Sequence, residues 1–367
     1  MQRGFDLPVK ERKPGNYPLV TSSGPTDFHS EARVRGPGVV TGRSGSIGNV
    51  FYVEDSFWPL NTALYVKDFH GNDPRYIFYL LQFFDLGRFA SGAGVPTLNR
   101  NHVHDEAVWI ATDLDEQKRI VAVLDQAFAA LDRARALAEA NLADAEELFE
   151  AQLDAALGQA DGEWISATLD SLCSKIGSGA TPKGGSASYR SEGISLIRSL
   201  NVYDREFRED KLAFIGEEQA RKLDIVTVKE GDVLFNITGA SVARCCIAPT
   251  HLLPARVNQH VAILRPDRSR LMPDFLCLLL TTRTMKDRLL KVGNEGGATR
   301  QAITKAQLQA LTVSFPSSLE EQCDIIDDLK HQSDQCLSLR STYQKTIIDL
   351  ADLRQSFLHK AFTGELT

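Results

Sequence analysis

Shifted by 205 positions, this sequence lies on itself without a gap over about 60 residues. Leu98 falls on Ile303, Val103 on Leu308, Val108 on Val313 and Leu114 on Leu319. Glu116-Gln117 falls on Glu321-Gln322, Ile120 on Ile325, Leu124 on Leu329, Leu148 on Leu353, Leu153 on Leu358 and Ala156 on Ala361. Solenoid units are far shorter, about 20–45 residues. A long period of this kind means one module, a globular part followed by a helix, present twice. The spans are 1–112 for the first globular segment, 113–160 for the first helix, 161–316 for the second globular segment and 317–367 for the second helix.

Both helices announce their starts. Asp113 with Glu116, or Thr112 with Asp115, can form a capping pair at the first, and Ser318 with Glu321 at the second, just after Pro316. A seven-residue apolar ladder follows each. In the first helix Val121, Phe128, Leu142 and Phe149 form one row, and Leu124, Leu131, Ala138 and Ala145 its companion, with Arg135 as a polar break. In the second, Leu329, Cys336, Tyr343, Leu350 and Phe357 form one row, with Leu339 and Leu353 in the other beside Gln332 and Thr346. Sustained ladders of this length predict a coiled-coil seam rather than two ordinary amphipathic helices. A helix from Leu114 to about Gly158 would be roughly 65 Å long at ~1.5 Å per residue. The second globular segment begins where one helix ends and finishes where the other starts. A domain of its size has a radius of gyration of about 15 Å, so its ends lie close together. The helices are therefore expected to run antiparallel, relating the two modules by a pseudo-two-fold axis. The fold class is α+β: two mixed α/β domains separated by a long antiparallel two-helix coiled coil.

The net charge of −7 hides a strong segregation. The helical spans carry −8 and −4, whereas the first globular segment is neutral and the second carries +5. The acidic helix faces are either docking surfaces or solvated faces. Six cysteines, at 173, 245, 246, 277, 323 and 336, include no Cys-x-x-Cys pair, so neither a zinc site nor a disulfide framework is indicated. Vicinal Cys245 and Cys246 sit in an apolar run and read as strand residues. Met1 to Lys10 has no apolar stretch of a secretory signal, and the longest apolar run, Phe275 to Leu280, is too short to span a membrane. A reduced, cytoplasmic protein is expected.

The globular segments read as many short strands: Gly38–Gly42, Val50–Val53 and Ala63–Val66 in the first, Asp232–Phe235, Cys245–Ala248 and His260–Leu264 in the second. Apolar helical stretches follow at Tyr76–Phe84 and Phe275–Leu290. Loops of Gly, Ser, Thr, Arg and Asn lie between the strands. Gly42–Gly48 has an approximate counterpart in Thr238–Arg244, and Gly92–Arg100 one in Gly296–Thr304. Such loops can approach DNA closely. Two related but unlike readers suit a duplex target with two unlike halves and an unread spacer, the helices acting as ruler. Arginine pairs with guanine, and Asn or Gln with adenine. The candidate contacts are Arg43, Ser44, Asn99 and Arg100 in the first segment and Lys183, Arg198, Arg244, Arg300 and Gln301 in the second. For any one of them a structural or phosphate contact is at least as frequent. Asn61 and Asn258, at strand starts, read as turn residues.

In this order the elements resemble the specificity subunit of type I restriction–modification systems. The text that carries the resemblance is Arg3–Pro8, Tyr17–Gly24, Gly42–Gly48 and Leu114–Ile120 in the first half. In the second it is Gly177–Pro182, Gly231–Leu234, Gly297–Thr304, Phe315–Gln322 and Ala361–Leu366. Each motif alone is weak; the order, repeated twice, spans essentially the whole chain. The resemblance implies two target recognition domains on a helical spacer and double-stranded DNA as ligand. It also implies two adenine methyltransferase subunits using S-adenosylmethionine that they bind themselves, and a translocase–nuclease subunit using ATP and Mg. The chain departs from the pattern in two places. The second domain opens with Glu163-Trp164 well before its Gly177 turn, whereas the first opens almost at its own turn, so an opening strand is expected to be missing there. Ala111-Thr112 also stands where the second half has Phe315-Pro316.

No catalytic site is expected. There is no Gly-x-x-x-x-Gly-Lys-Ser/Thr loop and no Asn-Pro of the amino-methyltransferase type. Gly42–Gly48 has dinucleotide-like glycine spacing, but no apolar-periodic helix follows it. His102 and His104 on one face of a strand lack a third ligand, so no metal is assigned. The rival classes are a coiled-coil scaffold, whose domains would lack a basic face, and a modification enzyme, which would need a cofactor pocket.

Overall fold

The valine-rich run Gly38–Gly42 is buried along its whole length, as expected of a strand covered on both faces. It lies at the centre of the first of two units in the computed structural model, which describes residues 1–92, 94–158, 164–182, 184–294 and 302–366. One unit comprises Met1–Asn141 with Thr342–Thr367, the other Leu142–Ser341.

In the first unit the strands are β1 (Gln2–Arg3), β2 (Tyr17–Thr21), β3 (Gly24–His29), β4 (Gly38–Gly42), β5 (Val50–Val53), β6 (Trp58–Pro59) and β7 (Ala63–Tyr65). They form one sheet of order β1-β7-β4-β5 and another of order β3-β2-β6, in which β2 runs parallel to β6. Helix α1 (Pro74–Phe83), a small hairpin β8 (Ala90–Ser91) and β9 (Thr97–Leu98), α2 (Arg100–His104) and the long α3 (Leu114–Leu157) follow. His102 and His104 are thus helical rather than on a strand, and the His104 ring lies 2.8 Å from the Met1 amino group.

The second unit opens with β10 (Trp164–Thr168), α4 (Leu169–Leu172), β11 (Cys173–Ser178), β12 (Ile194–Ile197), β13 (Ala213–Ile215), α5 (Glu217–Arg221) and β14 (Thr227–Val228). It continues with β15 (Val233–Asn236), β16 (Cys245–Ile247), β17 (Ala255–Val257) and β18 (Val261–Pro266). It closes with α6 (Pro273–Thr281), α7 (Arg283–Asn294), α8 (Lys305–Ala310), β19 (Thr312–Pro316) and α9 (Leu319–Thr363). One sheet has the order β11-β18-β15-β16 and another β13-β12-β17-β14, with β12 parallel to β17. Strand for strand, these repeat the two sheets of the first unit, with β14 added.

The repeat extends to single side chains. Buried Gln117 accepts from the Asp73 amide at 2.8 Å and donates to the Ala111 carbonyl at 2.7 Å. Buried Gln322 accepts from the Met272 amide at 2.9 Å and donates to the Pro316 carbonyl at 2.8 Å. Each glutamine satisfies the residue preceding a helix-opening proline, Pro74 or Pro273, and so hangs α1 from α3 and α6 from α9.

Two expectations need correction and one is met. The apolar stretch Phe275–Leu290 is two helices, because Thr282 turns extended and its hydroxyl accepts from the Met285 amide at 3.2 Å, starting α7 afresh. As expected from the sequence, the first unit lacks a counterpart of the opening strand β10, and so of the β10–β19 pair, among the described residues. In the second unit Val313 is buried, whereas its counterpart Val108 is 40% exposed. The third concerns the seam. Val121, Leu124, Phe128, Leu131, Leu142 and Phe149 all turn inward, as do Leu329, Tyr343, Leu350 and Phe357. Leu339 and Leu353 do not; they are 41% and 45% exposed. Their places are taken one residue later by Arg340 and Arg354. An arginine stem can lie along apolar surface while its head reaches an acid. The Arg354 guanidinium lies 4.0 Å from the Phe128 ring centre and pairs with Asp132, and Arg340 pairs with Glu146 at 3.1 Å.

Those pairs set the helix direction in each unit. In the first, Ile120 and Leu124 share a core with Leu358, Ala361 and Phe362, while Asp132 meets Arg354, so α3 and α9 run antiparallel. In the second, Glu146 meets Arg340 while Leu153 and Leu157 share a core with Ile326 and Leu329, and the direction is again antiparallel. Among the described residues no helix is long and apolar enough to cross a membrane.

Candidate nucleic-acid interface

A cleft of about 550 Å³ opens in the second unit between the loop after β12 and the loop joining β15 to β16. Buried Asn236, the last residue of β15, ties the two walls together. Its side-chain amide donates to the Ser199 carbonyl at 2.9 Å, and its main chain pairs with Ala243 and Arg244. Asn201 braces the first wall by accepting from the Arg198 amide at 3.2 Å and donating to the Arg208 carbonyl at 2.9 Å. In the second wall Gly239 and Ala243 both adopt left-handed backbone, φ +79° and +67°. For alanine that conformation is strained, and it turns Arg244 back over the cleft. Behind the sheet, fully buried Asp232 takes both arms of Arg265 at 2.7 and 2.8 Å. The fork is a rigid support for β15 and β18.

Arg244 lies over the Tyr203 ring at 4.7 Å, and Arg208 lies over the same ring at 3.8 Å. The two cations differ in their partners. Arg208 forks onto Glu206 through two bonds of 2.9 Å, which holds the Glu206 carboxyl below its ordinary range. Arg244 has no ion pair with any described residue. Across the cleft the Thr238 hydroxyl meets the His260 ring at 2.6 Å.

The other candidates fare differently. Arg198 stacks on Tyr189 at 5.1 Å and donates to the Lys211 carbonyl, a structural placement. In the first unit the Arg43 Nε donates to the Asn61 carbonyl at 3.0 Å and its main chain is bonded to Thr62 and Leu98. Ser44 bonds to Thr62 through its amide. Asn99 caps α2 by accepting from the Asn101 amide at 3.1 Å, and Arg100 donates to the Met1 carbonyl at 3.3 Å. Asn258 serves locally, accepting from the His260 amide, whereas the Asn61 side chain donates to Asp6, 55 residues away. Lys183, Arg300 and Gln301 lie outside the described residues. Sequence reasoning overlooked Tyr203, Thr238 and His260 as site residues. The interleaved Tyr203-Asp-Arg-Glu-Phe-Arg208 was the available signal, since aromatic and arginine side chains together favour nucleic-acid contact.

The family model for the type I restriction modification DNA specificity domain matches residues 5–141 and 162–347, one match on each module. The chain belongs to this specificity family. Among curated relatives it is similar to the type I restriction enzyme EcoBI specificity subunit of Escherichia coli, 28% identical over 176 residues. That match takes in 48% of this chain and 36% of the relative, so it spans little more than a third of the relative's length. Among solved structures a chain from a study of complex assembly and conformational transition of the type I R-M system shares the fold. Its TM-score is 0.78 at 20% identity, covering 100% of this chain and 96% of that one. The HsdS subunit from Thermoanaerobacter tengcongensis gives 0.62 at 21% identity, covering 95% and 91%. The doubled sheets, the long helices and the paired glutamines are therefore features of a member of the specificity family.

Proposed function

We propose that this chain is the DNA-reading, non-catalytic subunit of a type I restriction–modification complex. Each globular segment reads one half of a bipartite, asymmetric duplex target, and the bases between the halves go unread. The observation that carries this reading is the repetition of one two-sheet module, matched twice by the same DNA-specificity family. The modules keep the scaffold and differ in their loops, as two readers of unlike sequences should. Two adenine methyltransferase subunits, bringing their own S-adenosylmethionine, would dock on the assembly, with ATP- and Mg-dependent restriction subunits joining for cleavage. The setting for such an assembly is the cytoplasm. The second segment's charge of +5 favours phosphate, while the acidic helices are left for protein partners.

The test is to co-express this chain with its methyltransferase partner and map methylated adenines across a genome. One two-part motif with a constant gap is expected, and the purified chain alone should transfer no methyl group. Methylation without any common motif, or transfer by the chain alone, would overturn the reading.

A further inference from the structure

The stacked arginine in the second unit's cleft is placed as a base reader rather than a phosphate anchor. A phosphate site gathers several cations and backbone amides, because the ligand is a diffuse negative charge. This cleft does the opposite. Of the two arginines on the Tyr203 ring, Arg208 is neutralised by Glu206, which leaves Arg244 as the one without an ion pair among the described residues. The cleft's other polar lining side chains include Ser199, Thr238, Ser241 and His260, hydroxyls and an imidazole suited to hydrogen bonding. A guanidinium lying over an aromatic ring keeps its plane but leaves its in-plane N–H fork free. A planar fork of two donors matches the O6 and N7 acceptors of guanine and no other base edge in the major groove.

We propose that Arg244 reads a guanine in one half-site and that Tyr203 is the positioning residue that holds its guanidinium for that contact. This rests on the reading of the chain as the DNA-recognising subunit. Tyr203 suits the role because it is itself fixed. Its amide donates to the Glu206 carbonyl at 3.0 Å, closing a tight turn, and the Arg205 amide in that turn donates to the Cys245 carbonyl at 2.8 Å, next to Arg244 in sequence. Arg208 also packs on this ring, 3.8 Å from its centre. In the first unit the loop arginine Arg43 is instead bonded through its guanidinium to the Asn61 carbonyl.

The experiment uses the complex of the full chain with its methyltransferase partner. Methylation rates are measured on a set of duplexes in which every base pair of the mapped target is replaced in turn. The wild-type complex should prefer guanine at one position of one half-site by about 5- to 150-fold, the range for a bidentate pair. Arg244→Ala should erase that preference and leave the other half-site's preferences unchanged. Arg244→Lys should not restore it, since an ammonium has no fork. Tyr203→Ala should weaken the same preference and no other, and Tyr203→Phe, which keeps the ring, should retain it. Melting curves for each variant exclude unfolding as the cause. If Arg244→Ala slows methylation of every duplex alike, the contact is to phosphate and the proposal is wrong. If Tyr203→Ala leaves the guanine preference intact, its positioning role is wrong. A wild-type complex without any sequence preference would instead overturn the DNA-reading function, and this inference with it.

Discussion

Arg75 and Asp125 form an ion pair at 2.9 Å, and the equivalent positions in the other module, Asp274 and Lys330, form one at 3.2 Å with the charges exchanged. In both cases the residue after a helix-opening proline pairs with the long helix it packs on. The polarity reversed during divergence while the contact survived, which marks the contact rather than either charge as what the module requires.

Arg75 also lies over the Tyr52 ring at 4.8 Å. Because the pair is partly exposed, its loss is modest. Arg75→Ala should destabilise the chain by about 1 kcal/mol, ring contact included. Arg75→Asp, facing Asp125, should cost more, and Arg75→Asp with Asp125→Lys should recover most of the loss. Thermal melting of the three variants checks this; equal melting of Arg75→Asp with and without the second change would show that the pair contributes nothing.

Gln117 and Gln322 are buried, and each spans an amide and a carbonyl that no other group is seen to satisfy in the same way. Replacing either by leucine strands both polar groups, at a cost of about 2–4 kcal/mol. Urea unfolding measures the loss. Hydrogen exchange should quicken at Asp73 in Gln117→Leu and at Met272 in Gln322→Leu, each variant sparing the other amide.

At the seam the effects should follow burial rather than hydrophobicity. Leu353→Lys, at an exposed position, should change stability by less than about 0.5 kcal/mol. Arg354→Ala should cost about 1 kcal/mol, through the stem packed on Phe128 as well as the pair with Asp132. The reverse ranking in denaturant titrations would restore Leu353 to the seam.

The Tyr79 phenol is desolvated and donates to Asp125, which together push its pKa up from 10.0 to about 12. Its folded value is raised above the unfolded one, so the stability it contributes is complete below pH 10.0 and is lost as pH rises towards about 12. Tyrosinate absorbance should show Tyr79 ionising late among the eight tyrosines. Asp125→Asn, which removes the negative charge, should bring that titration down. Tyr79→Phe should flatten the alkaline fall in stability. An unchanged alkaline limb in Tyr79→Phe would assign it to other groups.

Much of this protein is written in local pattern. The offset match made the duplication visible, because repeated burial constrains the same positions twice: Leu124 and Leu329 lie in cores of their own units. Short β-branched runs such as Val39-Val40 and Val261–Leu264 became strands because a fully covered sheet needs them. Other outcomes depended on neighbours distant in sequence. Leu353 and Arg354 differ by one step on a helix, and only the position of Phe128 and Asp132 on α3 decides which faces inward. Likewise Arg43 and Arg244 read alike as loop arginines. One guanidinium is bonded to the Asn61 carbonyl and the other lies over Tyr203, contacts 18 and 41 residues away along the chain. Composition and periodicity record which residues avoid water; which polar group meets which partner is settled only when the chain has closed on itself.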